Sequence, residues 1–328
     1  MRASIAGLFS LLLIGSLCGA AGQQQTEKIE PKAPVFRTET NLVSLDVTVT
    51  GKRGETIKGL QKSDFAVYEN GTKQDVVFFT DENRPVSWGL VVDRSGSMLG
   101  MMEEVYNAVL HSVRAGTRED DFFVMKFNHD VEIIQEFTSD RDQLLAASKK
   151  LWAMGSTALY DAVALAVDHV KEGRHQKKVL VIVTDGEDNA SHIPFEKLLA
   201  MVKRSEALIY TVGFFESDLA ILKLMERESR KELQLLAEQT GGMAYFPKNM
   251  EECDQVCRDI AARVSQQYSL GYYPKNTTWD GEWREIKVEL SRADKSVVRA
   301  RKGYLAVRPG EPRDSASARL TGSAAPRR

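Results

Sequence analysis

Trp88-Gly89-Leu90-Val91-Val92-Asp93-Arg94-Ser95-Gly96-Ser97-Met98 runs from an apolar stretch directly into a carboxylate and two hydroxyls at alternate positions. The apolar half reads as a buried strand, and the polar half as a loop that opens a helix. Asp and Ser carry hard oxygen donors, the kind Mg²⁺ prefers. Two other junctions repeat the theme. Gly155-Ser156-Thr157 precedes a helical pattern, and Thr184-Asp185-Gly186 follows the apolar run Val179-Leu180-Val181-Ile182-Val183. Three loops, each at an element boundary, are placed to converge on one cation.

Outward from this stretch the chain alternates strands with helices. Strands are predicted at Trp88–Val92, Phe122–Phe127, Lys178–Thr184, Leu208–Gly213 and Met243–Phe246, with Val131–Phe137 as an antiparallel edge. Helical periodicity fills Met101–Arg114, Arg141–Leu151, Tyr160–Glu172, Phe195–Ser205, Lys231–Thr240 and Met250–Gln266. Continuous apolar strands imply a sheet covered on both faces. The alternation predicts an α/β fold with a doubly wound, mostly parallel sheet. Ligands of such sheets bind beyond the carboxyl ends of the strands, where Asp93 and Asp185 both fall.

The flanks have β character. Val43, Leu45, Val47 and Val49 alternate with polar residues, and Asn70-Gly71 separates two apolar runs as a type I′ hairpin turn does. Beyond Gln266, Tyr268, Leu270 and Tyr272 alternate, as do Ile286, Val288 and Leu290. Neither flank has strands enough for a stable sandwich, whereas together they give about six or seven, typical of an immunoglobulin-like fold. The expectation is a smaller antiparallel β-sandwich-like domain built from N- and C-terminal strands, with the α/β domain inserted. Two separate β caps are the competing arrangement.

The three loops resemble the metal-ion-dependent adhesion site (MIDAS) of von Willebrand factor A (VWA) domains. In that family an Asp-x-Ser-x-Ser loop, a distant Thr and a distant Asp hold a divalent ion. The resemblance assigns these roles to Asp93, Ser95, Ser97, Thr157 and Asp185. It implies Mg²⁺, with Mn²⁺ or Ca²⁺ possible, and a protein ligand that presents an Asp or Glu carboxylate. Gly59-Leu60, Asp64-Phe65, Glu69-Asn70-Gly71, Leu270-Gly271-Tyr272-Tyr273 and Arg301-Lys302-Gly303-Tyr304 make the layout similar to exported bacterial proteins called VWFA-related, over about residues 38–306.

The organisation read from the sequence is a signal peptide at 1–22, a linker at 23–40, a β segment at 41–85, the VWA-like domain at 86–266, a second β segment at 267–306 and a disordered tail at 307–328. Arg2, the apolar stretch Ile5–Leu17 and the small residues Gly19-Ala20-Ala21-Gly22 are the leader's signature. They imply export to the periplasm, the cell surface or the medium, with no stable membrane span once the leader is removed. Leu17 before Cys18 is a poor lipid-attachment box. Cys253 and Cys257, four apart on a predicted helix, read as two buried thiols.

A net charge of −2 on 328 residues gives no reason to expect nucleic acid as a partner. Glu187, Asp188 and His192 read as exposed loop residues, Asp120-Asp121 as a turn, and Met98 with Met101 and Met102 as helix packing. Asn70, Asn189 and Asn276 open glycosylation triplets of a kind common by chance. No His-Glu-x-x-His, P-loop or Gly-x-Ser-x-Gly motif is present. The functional expectation is therefore a metal-dependent, adhesion-type protein-binding module and not an enzyme. A structural or assembly subunit contacting partners through its β domain is the alternative, and a metal-dependent hydrolase a more distant one.

Overall fold

The computed structural model describes residues 42–96, 98, 116–148, 155–215, 220–291 and 296–307. The expected leader and linker, Ser97, the helix at Met101–Arg114 and the tail from residue 308 lie outside the described residues. The chain begins with β1 (Val43–Thr50), β2 (Phe65–Glu69), β3 (Thr72–Gln74) and β4 (Val76–Thr80). Asn70 and Gly71, at φ 45° and 76°, form the predicted turn, but its second arm is the short β3; the apolar run Val76–Phe79, expected as that arm, is β4 and belongs to a different sheet.

The α/β part follows: β5 (Val86–Asp93), β6 (Asp121–Phe127), β7 (Val131–Thr138), α1 (Arg141–Ser148), α2 (Leu159–His169), β8 (Lys177–Thr184), α3 (Phe195–Arg204), β9 (Leu208–Gly213), α4 (Ala220–Thr240), β10 (Ala244–Tyr245) and α5 (Met250–Ser265). Its sheet has the order β10-β9-β8-β5-β6-β7, parallel except for β7. Every residue of β5 is buried. Trp88, Leu90 and Val92 pack with Cys253, Cys257 and Ile260 of α5, whereas Val91 packs on the other face with Leu159 and Val163 of α2. This is why the strand's sequence is apolar without alternation: both faces meet helices. Gly89 sits where a Cβ would come within 2.4 Å of Leu180 and Phe123, so the central strands approach too closely for any side chain there.

The chain closes with β11 (Tyr268–Tyr272), β12 (Trp283–Leu290), β13 (Val297–Arg299) and β14 (Gly303–Leu305). These strands join the N-terminal ones in two antiparallel sheets, ordered β13-β1-β11-β4 and β14-β12-β2-β3. Leu45, Val47, Val67, Leu270 and Ile286 fill the space between. Buried Glu69 accepts hydrogen bonds from the hydroxyls of Tyr272 (2.8 Å) and Tyr304 (2.9 Å) and pairs with buried Arg284 (3.3 Å), which satisfies its charge.

The sandwich has eight strands, more than the six or seven expected, because β3, β13 and β14 are three residues each and too short to show a period. Thr80 at the end of β4 lies opposite Ser269 in β11. The α/β part therefore occupies the position of a hairpin loop, and the arrangement of two separate β caps is excluded. Helix α4 begins eleven residues before the predicted Lys231, and β10 is reduced to two residues. No helix among the described residues is long and apolar enough to cross a membrane.

Candidate metal centre

The sheet order reverses about β5, whose neighbours are β6 and β8, and the candidate residues stand at the carboxyl ends of β5 and β8. Asp93 is the last residue of β5 and is fully buried. Its Oδ1 accepts the Ser95 N–H (2.8 Å) and its Oδ2 accepts the Thr184 hydroxyl (2.6 Å), while the Ser95 side chain also bonds to it. Asp185 follows β8 directly and is buried. Burial, and then the Asp185 carboxylate, push Asp93 up to about 7. Two carboxylates are thus held together at a cost that a cation between them would remove.

Thr157 lies just before α2 and is buried. Asn189 and Ala190 hold its backbone by three hydrogen bonds: the Asn189 side-chain oxygen accepts the Thr157 N–H (2.8 Å), and the Asn189 and Ala190 N–H groups donate to the Thr157 carbonyl (both 3.0 Å). The Thr157 hydroxyl makes no hydrogen bond among the described residues, which leaves its oxygen available as a donor to an ion. Gly96 N–H donates to the Gly155 carbonyl (3.0 Å), so the first loop is tied to the second. Asp188 accepts the Tyr160 N–H in the first turn of α2 (3.2 Å), tying the third loop to the second as well. The three expected loops, which carry Asp93 and Ser95, Thr157, and Asp185, are therefore tied to one another. Ser97, the fifth expected ligand, is outside the described residues.

Sequence reasoning missed four neighbours. Thr184 stood in the quoted Thr-Asp-Gly triplet, yet only the fold shows its hydroxyl reaching Asp93. Asn189 read as a glycosylation triplet and Asp188 as a loop acid; both are clamps. His129, after β6, stands against Gly155, 2.9 Å from where a Cβ would be, and nothing in its sequence surroundings marks it. Other expectations resolve away from the site. Met98 is buried in the core beneath the first loop. His192 is exposed and bonded to Asp161 (2.8 Å). Asp120 lies at the amino end of the sheet, where Val86 N–H, Trp88 Nε1, Thr117 N–H and the Thr117 hydroxyl all donate to it. Cys253 and Cys257 are buried and free of a disulfide.

Among the described residues no three His, Cys, Asp or Glu side chains cluster as a metal group. The candidate ligands among the described residues are two carboxylates, Asp93 and Asp185, and two hydroxyls, Ser95 and Thr157. Such a set fits a hard divalent cation and not a soft one.

The arrangement defines a doubly wound α/β domain with its candidate site at the point where the strand order reverses. Residues 89–187 match the family model described as von Willebrand factor type A domain. The fold is similar to a von Willebrand factor type A protein from Catenulispora acidiphila, at 13% identity and TM-score 0.48, covering 83% of this chain and 75% of that one. It is also similar to the vWF domain of the type V pili tip protein Mfa5 from Porphyromonas gingivalis (12% identity, TM-score 0.45, 55% of this chain and 96% of that one). An aerotolerance-related membrane protein from Bacteroides fragilis NCTC 9343 gives 18% identity and TM-score 0.42, over 55% of this chain and 98% of that one. No curated protein sequence matches the chain.

Proposed function

We propose that the chain is an exported adhesion-type module that captures an Asp or Glu side chain of a partner protein through a divalent cation. Asp93, Ser95, Ser97, Thr157 and Asp185 would hold the ion, with Mg²⁺ the first choice and Mn²⁺ or Ca²⁺ the alternatives. When bound, the ion supplies a positive, exchangeable coordination position for a foreign carboxylate. The observation that carries this reading is the buried pair Asp93 and Asp185, ringed by neutral hydroxyls and by loops that bond to one another. Two carboxylates without further anionic ligands leave a divalent ion short of donor charge, which favours recruitment of an acidic group. Binding, not turnover, is the proposed role, because a set of hydroxyls and two carboxylates suits holding an ion and a partner's carboxylate. Export rests on the leader-like sequence at 1–22.

The test is calorimetric titration of Mg²⁺ into the metal-free full chain, followed by affinity capture from the native source with and without chelator. Saturable Mg²⁺ binding that disappears in Ser95→Ala and Asp185→Ala, with capture abolished by chelator, is the expected result. Chelator-insensitive capture overturns it.

One observation favours the second reading, an assembly subunit. Leu42 and Phe78 meet over Gly271, and with exposed Val77 and Tyr273 they form an apolar patch at the β4 edge of the sandwich. If this patch makes the main contact, Asp185→Ala retains the partner and Phe78→Lys loses it.

A further inference from the structure

The pole opposite the candidate metal centre is a basic cleft. It lies between the amino ends of β8 and β9 and the sandwich, with a volume of about 840 Å³. That is within the range of pockets which enclose small organic ligands, roughly 300–1,000 Å³. Arg84, Arg174, Lys177, Lys178, Arg204 and Arg301 line it, against the carboxylates of Asp46 and Glu206. Asp46 is already engaged by Arg84 at 3.1 Å, and Asp121, behind the wall, stands 3.8 Å from Arg174. Even with Asp121 counted, cations outnumber carboxylates.

Lys177 is the most telling of these groups. It is 7% exposed, its ammonium donates to the Val264 carbonyl (2.5 Å), and among the described residues no carboxylate lies within ion-pair distance of it. A buried ammonium is costly, and the more distant carboxylates of Asp46 and Asp120 offset its burial only in part. Burial accordingly lowers its pKa to about 8. Phe78, Trp279 and Tyr304 stand beside the cations in the wall, which also carries polar residues such as Ser44, Gln176 and Thr240.

We propose that this interdomain cleft binds a small multivalent organic anion, phosphate- or carboxylate-bearing, with its charged groups on the lysine and arginine side chains and its body against the aromatic wall. The site is separate from the metal centre. Lys177 and Thr184 are the two ends of one strand, about 23 Å apart at ~3.3 Å per residue. A partner held at one pole therefore does not cover the other.

The test titrates the full chain, in metal-free buffer of constant ionic strength, with inorganic pyrophosphate, citrate and 1-naphthyl phosphate. Heat is followed by calorimetry and Trp279 by its fluorescence. Saturable one-to-one binding of at least one probe is expected, weakened about tenfold in Lys178→Ala and in Arg204→Ala, as loss of a charge-assisted hydrogen bond predicts. Pyrophosphate against citrate separates a phosphate preference from a carboxylate one, and naphthyl phosphate reports the contribution of the aromatic wall. Ser95→Ala binds the probes as the unaltered chain does, which keeps this site's outcome independent of the metal centre's. Melting curves confirm that the variants are folded. No saturable binding at millimolar probe, or binding indifferent to both substitutions, overturns the proposal.

Discussion

Asp93 and Asp120 are buried carboxylates at opposite ends of the same sheet, and their surroundings differ in kind. Asp120 receives four donors from Val86, Trp88 and Thr117, and no second carboxylate bonds within that knot. Asp93 is met by Ser95 and Thr184 and faces Asp185. The first carboxylate is finished by its own chain; the second is left with a repulsive neighbour. A carboxylate saturated by N–H and O–H groups ties a turn, whereas one set against its own kind asks for a cation.

The largest expected effect separates these two. Asp93→Asn abolishes measurable Mg²⁺ heat, a loss of at least ~100-fold given that even outer partners of a metal ligand are worth 10–100-fold. It leaves the metal-free melting temperature unchanged or higher, since a strained charge is gone. Asp120→Asn does the opposite: Mg²⁺ affinity is unchanged, and chemical denaturation shows a loss of about 3 kcal/mol because an amide hydrogen now confronts a donor. Equal behaviour of the two variants would erase the distinction.

The next effect concerns the amino-end pole. Lys177 has a folded pKa of about 8 against 10.5 for the free side chain, caused by burial first, with Asp46 and Asp120 opposing and Arg84 reinforcing the shift. Between those values the unfolded chain binds the proton and the folded chain does not, so stability rises with pH from 8 to 10.5. Below pH 8 the buried charge costs about 3 kcal/mol, at ~1.36 kcal/mol per unit. Lys177→Met recovers that amount at pH 7 and removes the rise, as denaturant midpoints across pH will show. The smallest effect returns to the metal pole. Asn189→Ala frees the Thr157 loop and weakens Mg²⁺ about tenfold in calorimetry, with no change in secondary structure by circular dichroism.

What could be read from the sequence follows the same division. The junctions at Asp93 and Asp185 were legible because a strand buried on both faces is apolar without interruption, and its polar end stands out. Asn70-Gly71 was legible because positive φ selects those residues. The start of α4 was not: Leu224 and Met225 are exposed, so at these two positions apolar residues do not mark a face turned to the core. Thr184, Asp188 and Asn189 escaped because a clamp between loops is a fact of tertiary structure, and each residue alone is ordinary turn chemistry. The basic cleft was hidden for a related reason. Arg84, Lys177, Arg204 and Arg301 are far apart in the chain and read as scattered surface charge until the sandwich folds over the sheet's amino end.

The rung that pairs Thr80 with Ser269 has a mechanical meaning. Any tension applied to the α/β part reaches the sandwich through two adjacent antiparallel strands at once, both anchored by the same ladder. The module is tethered by a pair of ropes tied to one cleat, and stretching it does not have to pull the sandwich open from its ends.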